Sequence, residues 1–160
     1  DHRMYSLMDW VPVLPRQPLQ TIIAVNVGGC LIPGGLALFE ASYVWSSMPT
    51  AVFALLFVTA TNIAVCYFVA RPVEGLGIAM PGFMSPLASV LMTWLLLPAD
   101  EFASIRAPVA FVAGVAGPLI GADLLHLRDV IRLAAPVLAI GGAGTFDGIV
   151  LSGLMAAFLA

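Results

Sequence analysis

The 160 residues are 61% hydrophobic and only 9% charged, with a mean hydropathy of +1.06, where an ordinary globular chain carries about 25% charged residues. A chain this apolar has too little polar side-chain surface for a water-soluble domain, and a net charge of −3 without a single lysine excludes the basic face that nucleic acid demands. What remains is a multi-pass membrane protein whose only expected environment is the lipid bilayer, of a length that suits one unit.

Residues 1–18 carry Arg3, Asp9, Arg16 and three prolines, with Tyr5 and Trp10 among them. They read as an interfacial amino-terminal segment, because aromatic rings favour the headgroup level. Residues 19–160 read as a single transmembrane domain. Its first span runs from about Leu19 to Trp45, ~40 Å if wholly helical, which exceeds a hydrocarbon core of about 30 Å. The span must therefore tilt or break, and Asn26-Val27-Gly28-Gly29 followed by Ile32-Pro33-Gly34-Gly35 marks the place. Pro33 removes a backbone donor and predicts a kink there. Glu40 is expected at the outer interface.

The second span, Ala51 to Ala70, is conventional, with Asn62 as its one strongly polar interior residue. Gly75 to Pro86 holds too much Gly and Pro for regular helix and reads as re-entrant or interfacial, leading to a short third span from Leu87 to Leu97. Pro98 to Arg106 reads as an aqueous loop. The fourth span, Ala107 to Leu127, contains Gly114, Gly117, Pro118 and Gly121 and ends with Asp123 and His126; Arg128 to Arg132 reads as a polar turn. A fifth, overlong span from Leu133 to Ala160 has Gly141-Gly142-Ala143-Gly144-Thr145-Phe146-Asp147-Gly148 in its middle.

The fold class that follows is all-α, a polytopic membrane helix bundle of about five spans with interrupted first and last helices. Arg3, Arg16, Arg71, Arg128 and Arg132 then fall on one side and Arg106 on the other. The positive-inside rule puts the amino terminus in the cytoplasm of a cell whose inner (plasma) membrane the chain crosses. Cys30 and Cys66 lie in apolar runs with no metal-ligand spacing and read as buried free thiols. Neither a metal nor a cofactor is expected.

Asp147 stands out, because an acid at membrane depth costs at least a few kcal/mol and is a functional-site hypothesis by default. With Thr145 or Asp147 as N-cap, a helix from Gly148 to Ala160 would start inside the membrane, and its free N–H groups and dipole would stabilise a carboxylate. The candidate site for a proton, cation or small solute is Asp147, Thr145 and Gly144, with Asn26 beside its own glycine pair, and Asp123 with His126. Asp123, His126 and Asp129 share a helix face at a spacing of three. A simple cap is the competing reading of Asp147, and a solvated helix end is that of Asp129. Two interrupted helices in corresponding positions point to a transporter-like site.

Two aspartates on neighbouring spans also give a weak likeness to intramembrane aspartyl proteases such as presenilin or prepilin peptidase, with their Gly-x-Gly-Asp motif. Here Gly144 is followed by two further residues before Asp147, and no Pro-Ala-Leu element follows. If both segments are helical, Asp123 lies ~8 Å and Asp147 ~22 Å from the arginine-marked boundary, too far apart for a catalytic pair unless residues 133–145 are unwound. The motifs Asn26-Val27-Gly28-Gly29, Ala70-Arg71-Pro72-Val73, Gly121-Ala122-Asp123-Leu124-Leu125-His126-Leu127 and Gly141 through Gly148 together resemble a prokaryotic family of polytopic membrane proteins of unknown function, from about residue 20 onward. The resemblance implies an integral membrane location and no particular activity. The expectations for function are thus transport or binding at an intramembrane acid; alternatively, proteolysis by Asp123 and Asp147; or a non-catalytic subunit within a homo-oligomer or larger membrane complex.

Overall fold

The computed structural model describes residues 22–73, 77–132, 137–142 and 148–160. Strand β1 (Ile22–Val25) leads through Asn26 into a helix that starts as a π-turn, Val27–Leu31, and continues as α1 (Ile32–Ser47). After a short 3-10 turn, α2 (Val52–Val69) returns. A small antiparallel hairpin of β2 (Arg71–Val73) and β3 (Gly77–Ala79) precedes α3 (Met84–Leu96). Helix α4 (Ala99–Ala116) runs on as a π-helical segment, Gly117–Leu124, before the short α5 (Leu127–Arg132), strand β4 (Val137–Ile140) and α6 (Gly148–Leu159).

This is an all-α helical bundle. Three of its helical stretches, Val27–Ser47, Pro49–Val69 and Ala99–Asp129, are long and apolar enough to cross a membrane. Helices α3 and α6 are shorter, ~20 and ~18 Å, and each is preceded by irregular or extended chain. The outer surface is what lipid requires: Phe158 is 89% exposed and Phe68 80%, areas of apolar side chain that water would not tolerate in a monomer.

Several boundaries differ from the sequence expectation for identifiable reasons. The first span breaks at Asn26, where strand turns into helix, and not at Pro33. Pro33 sits just after the π-turn, where the helix continues through it into α1 without a break. Pro98 to Arg106 is not an aqueous loop. Helix α4 begins at Ala99 with Asp100 and Glu101 in its first turn, where acids complement the helix dipole; only Leu97 and Pro98 connect it to α3. Arg128 to Arg132 forms the helix α5. Among its described residues the fifth span is helical only from Gly148. Its earlier part contains β4, whose residues pair in parallel with β1 from Ile22↔Val137 to Val25↔Ile140. Both strands are made of apolar, largely β-branched residues, and in a lipid environment every backbone polar group must find a partner within the protein. Pairing the two interrupted spans with each other meets part of that demand.

The bundle is centred on α4, which packs against α1, α2, α3 and α6. Small residues let the backbones meet, as is usual between membrane helices: a Cβ at Gly114 would lie 2.9 Å from the Ala156 Cβ, and one at Gly121 would collide with the Ile63 carbonyl. Pro118 has no N–H, so the Gly114 carbonyl loses its helical donor. Two side chains replace it, Ser85 Oγ at 3.1 Å and Ser152 Oγ at 2.7 Å. The fully buried Asn62 completes this polar core, its amide reaching Ser85 Oγ (2.9 Å), Ser89 Oγ (2.9 Å) and the Ala113 carbonyl (2.7 Å). One amide therefore ties α2 to α3 and α4. Substituting Asn62→Ala is expected to destabilise the bundle by about 1–3 kcal/mol, because buried acceptors lose their donor. The check is the SDS fraction that unfolds the protein in mixed micelles; an unchanged midpoint contradicts it.

Candidate functional site

The two interruptions meet. Beyond β4, Gly141 and Gly142 adopt φ of +86° and +74°, a left-handed conformation that side chains with a Cβ disfavour by about 1–2 kcal/mol per residue. Space is also lacking, since a Cβ on Gly141 would lie 2.7 Å from the backbone nitrogen of Cys30. This turn points the Gly141 N–H at the end of the fourth span, where it donates to Asp123 Oδ2 at 2.8 Å. Asp123 arrives there on the π-helical segment that follows Pro118; such segments re-aim side chains and recur at functional sites.

Asn26 holds the same turn from the other side. Its Nδ2 donates to the Gly142 carbonyl (2.9 Å), and its Oδ1 accepts from the backbone N–H of Gly28 (2.9 Å) and Gly29 (3.2 Å). Its own N–H donates to the Ile140 carbonyl at 2.9 Å, extending the β1–β4 ladder. Asn26 is thus both the N-cap of the first broken helix and a clamp on the loop leading to the second. The helices starting at Val27 and Gly148 bring their positive dipole ends to this region, a setting that favours negative charge.

A cavity of about 150 Å³ lies at this junction. Asp123, Gly142 and Gly148 line it, together with Pro118, Ser152 and Met80. Gly148, the residue after Asp147, therefore faces the same space as Asp123. Asp147 itself, with Thr145 and Gly144, lies outside the described residues. Of the remaining candidates, Asn26 and Asp123 converge on Gly141–Gly142 from opposite ends of the chain. His126 does not line the cavity. It is 7% exposed, its ring lies 4.8 Å from that of Tyr67, and its Nδ1 is 3.2 and 3.1 Å from the Gly121 and Ala122 carbonyls. Those carbonyls only accept, so Nδ1 carries the proton and His126 caps the end of the π-helical segment. Asp129 is on α5. Cys66 is buried, whereas Cys30 is only half-buried beside Gly141. Among the described residues no three His, Cys, Asp or Glu side chains cluster as metal ligands would.

Two features of the site were not expected from sequence. Ser152 faces the cavity one helical turn beyond Gly148, an i to i+4 spacing that could have been noticed. Met80, the residue after β3, is brought in by chain with no readable periodicity. The depth estimate that set Asp123 and Asp147 apart concerns a residue outside the described ones, but its premise changes. It assumed helix from Leu133 to Thr145, and residues 137–140 are extended, so the chain returns Gly141 to the level of Asp123.

The fold and site define a multi-pass membrane helix bundle with an acidic junction between two interrupted spans. The chain belongs to the family described as "Protein of unknown function (DUF1614)", which it matches over residues 2–159. No curated protein and no solved structure matches it.

Proposed function

We propose that this protein is an intramembrane aspartyl protease in which Asp123 and Asp147 act as the catalytic pair. The observation that carries the reading is the hydrogen bond from Gly141 N–H to Asp123 Oδ2, which fastens the loop leading to one acid onto the other acid. The shared cavity, with Asp123 on one wall and Gly148 on another, supports it. Two carboxylates at one water divide the work. The ionised one takes a proton from water, whose oxygen attacks the peptide carbonyl carbon, and the protonated one gives its proton to the carbonyl oxygen. Collapse of the resulting diol breaks the C–N bond as a proton passes to the leaving nitrogen. A peptide must be extended to be cut in this way. The exposed strand β1, beside the site and paired with β4, offers backbone groups of the kind that an extended segment binds.

The test is cleavage of single-span reporter proteins co-reconstituted with the purified protein in liposomes. Cutting within the membrane-spanning segment is expected, and it is expected to vanish in Asp147→Asn. Cleavage that survives this substitution contradicts the reading. A second reading, binding and passage of a proton or small cation, is favoured by one observation, that both interrupted helices start at the junction, as in transporters. It predicts ion-dependent uptake into liposomes that Asp147→Glu partly retains and Asp147→Asn loses.

A further inference from the structure

Helices α1 and α6 both start at the acidic junction and run away from it side by side, yet they barely touch, because each rests on α4. Between them lies a groove of about 300 Å³ with α4 as its floor, bounded by Leu36, Pro108, Phe111 and Leu154. Leu36 and Leu154 are about half exposed, so the groove opens outward to the surroundings of the bundle. One charged residue lines it, Glu40. It lies on α1, which continues to Ser47, ~10 Å short of the helix end. Among the described residues no ion pair or hydrogen bond engages its carboxylate. It is the one acid in an otherwise apolar groove, a setting that favours a cationic partner.

We propose that this groove seats the membrane-spanning helix of the substrate, and that Glu40 selects helices with a lysine or arginine at its level. This rests on the hydrolytic reading above. The two helices that wall the groove both start at the junction, so a helix lying between them has its inner end toward Asp123. Glu40 is ~14 Å beyond Leu31, where the π-turn at the junction ends. The basic residue it selects therefore falls about nine residues from the cut if the intervening substrate stays helical. The remaining walls are apolar and fit the rest of a membrane helix, while a cation opposite Glu40 supplies the partner the acid lacks.

The experiment has two arms, both in liposomes. In the first, reporter helices with Lys or Leu at that position are cleaved by wild type, Glu40→Gln and Glu40→Lys. Wild type is expected to prefer the Lys helix at least tenfold in kcat/KM, Glu40→Gln to bring the two within about twofold, and Glu40→Lys to prefer a helix with Glu there. In the second, Leu154→benzoylphenylalanine in the catalytically blocked Asp123→Asn protein is photolysed with the same helices. Crosslinks to the Lys helix are expected, at least fivefold above the Leu helix and lost in Glu40→Gln, with none from the same probe at Phe53 on the exposed face of α2. Equal crosslinking of the two helices, crosslinks to lipid alone, or a Lys preference unchanged in Glu40→Gln overturns the proposal while leaving cleavage by Asp123 and Asp147 untouched. Lys-selective crosslinking without cleavage by the wild type supports the groove and its selectivity and instead sinks the hydrolytic reading.

Discussion

Asp123→Asn is expected to lower intramembrane cleavage by at least a factor of about 10³, the equivalent of about 4 kcal/mol of transition-state stabilisation. An amide neither takes the proton of the attacking water nor shares one with a second carboxylate. The substitution is informative because it spares the architecture. The side-chain oxygen of asparagine still accepts from Gly141 N–H, the bond that the carboxylate makes at 2.8 Å, so the SDS unfolding midpoint is expected to stay near the wild-type value. Loss of activity with an intact fold assigns chemistry to the carboxylate. Loss of the fold instead would make Asp123 a structural acceptor for the glycine turn, and activity retained in Asp123→Asn would remove it from the reaction.

Gly141→Ala is the second large effect. The left-handed backbone at Gly141 costs an alanine about 1–2 kcal/mol, and the added Cβ meets the backbone of Gly29 and Cys30 at under 3 Å. Neither neighbour is the end of a flexible side chain, so the turn itself must move. Because Gly141 is the donor to Asp123 and Gly142 the acceptor for Asn26, both clasps on the loop loosen together. Cleavage is expected to fall at least a hundredfold, with amide hydrogen exchange in Val137–Ile140 rising as the β1–β4 ladder opens. Wild-type exchange and activity in Gly141→Ala would mean that the turn does not position the site.

Much of this molecule was readable in its residues. Membrane location follows from an apolar surface no water-soluble monomer could carry. The polar exceptions, Asn26, Asn62 and Asp123, mark where helices are tied to one another. Two things resisted reading. An apolar run such as Val137-Leu138-Ala139-Ile140 has the same composition whether it is strand or helix, and with no polar residue in it no alternation separates the two periods. Its partner, Ile22–Val25, is 115 residues away in register, a pairing that no local pattern encodes. A helix there would set Asp123 and Asp147 at different depths; the strand at Val137–Ile140 and the Gly141–Asp123 bond replace that premise for the described part of the segment.

The most direct test of the account is whether the side chains at 123 and 147 face one another. In a chain carrying Asp123→Cys and Asp147→Cys, with Cys30→Ser and Cys66→Ala, one mercuric ion is expected to bridge the two thiolates within a single protein and to shield both from alkylation. Two thiols that stay separately alkylatable in the presence of mercury, in protein that keeps its fold, would show that the two acids do not share a site.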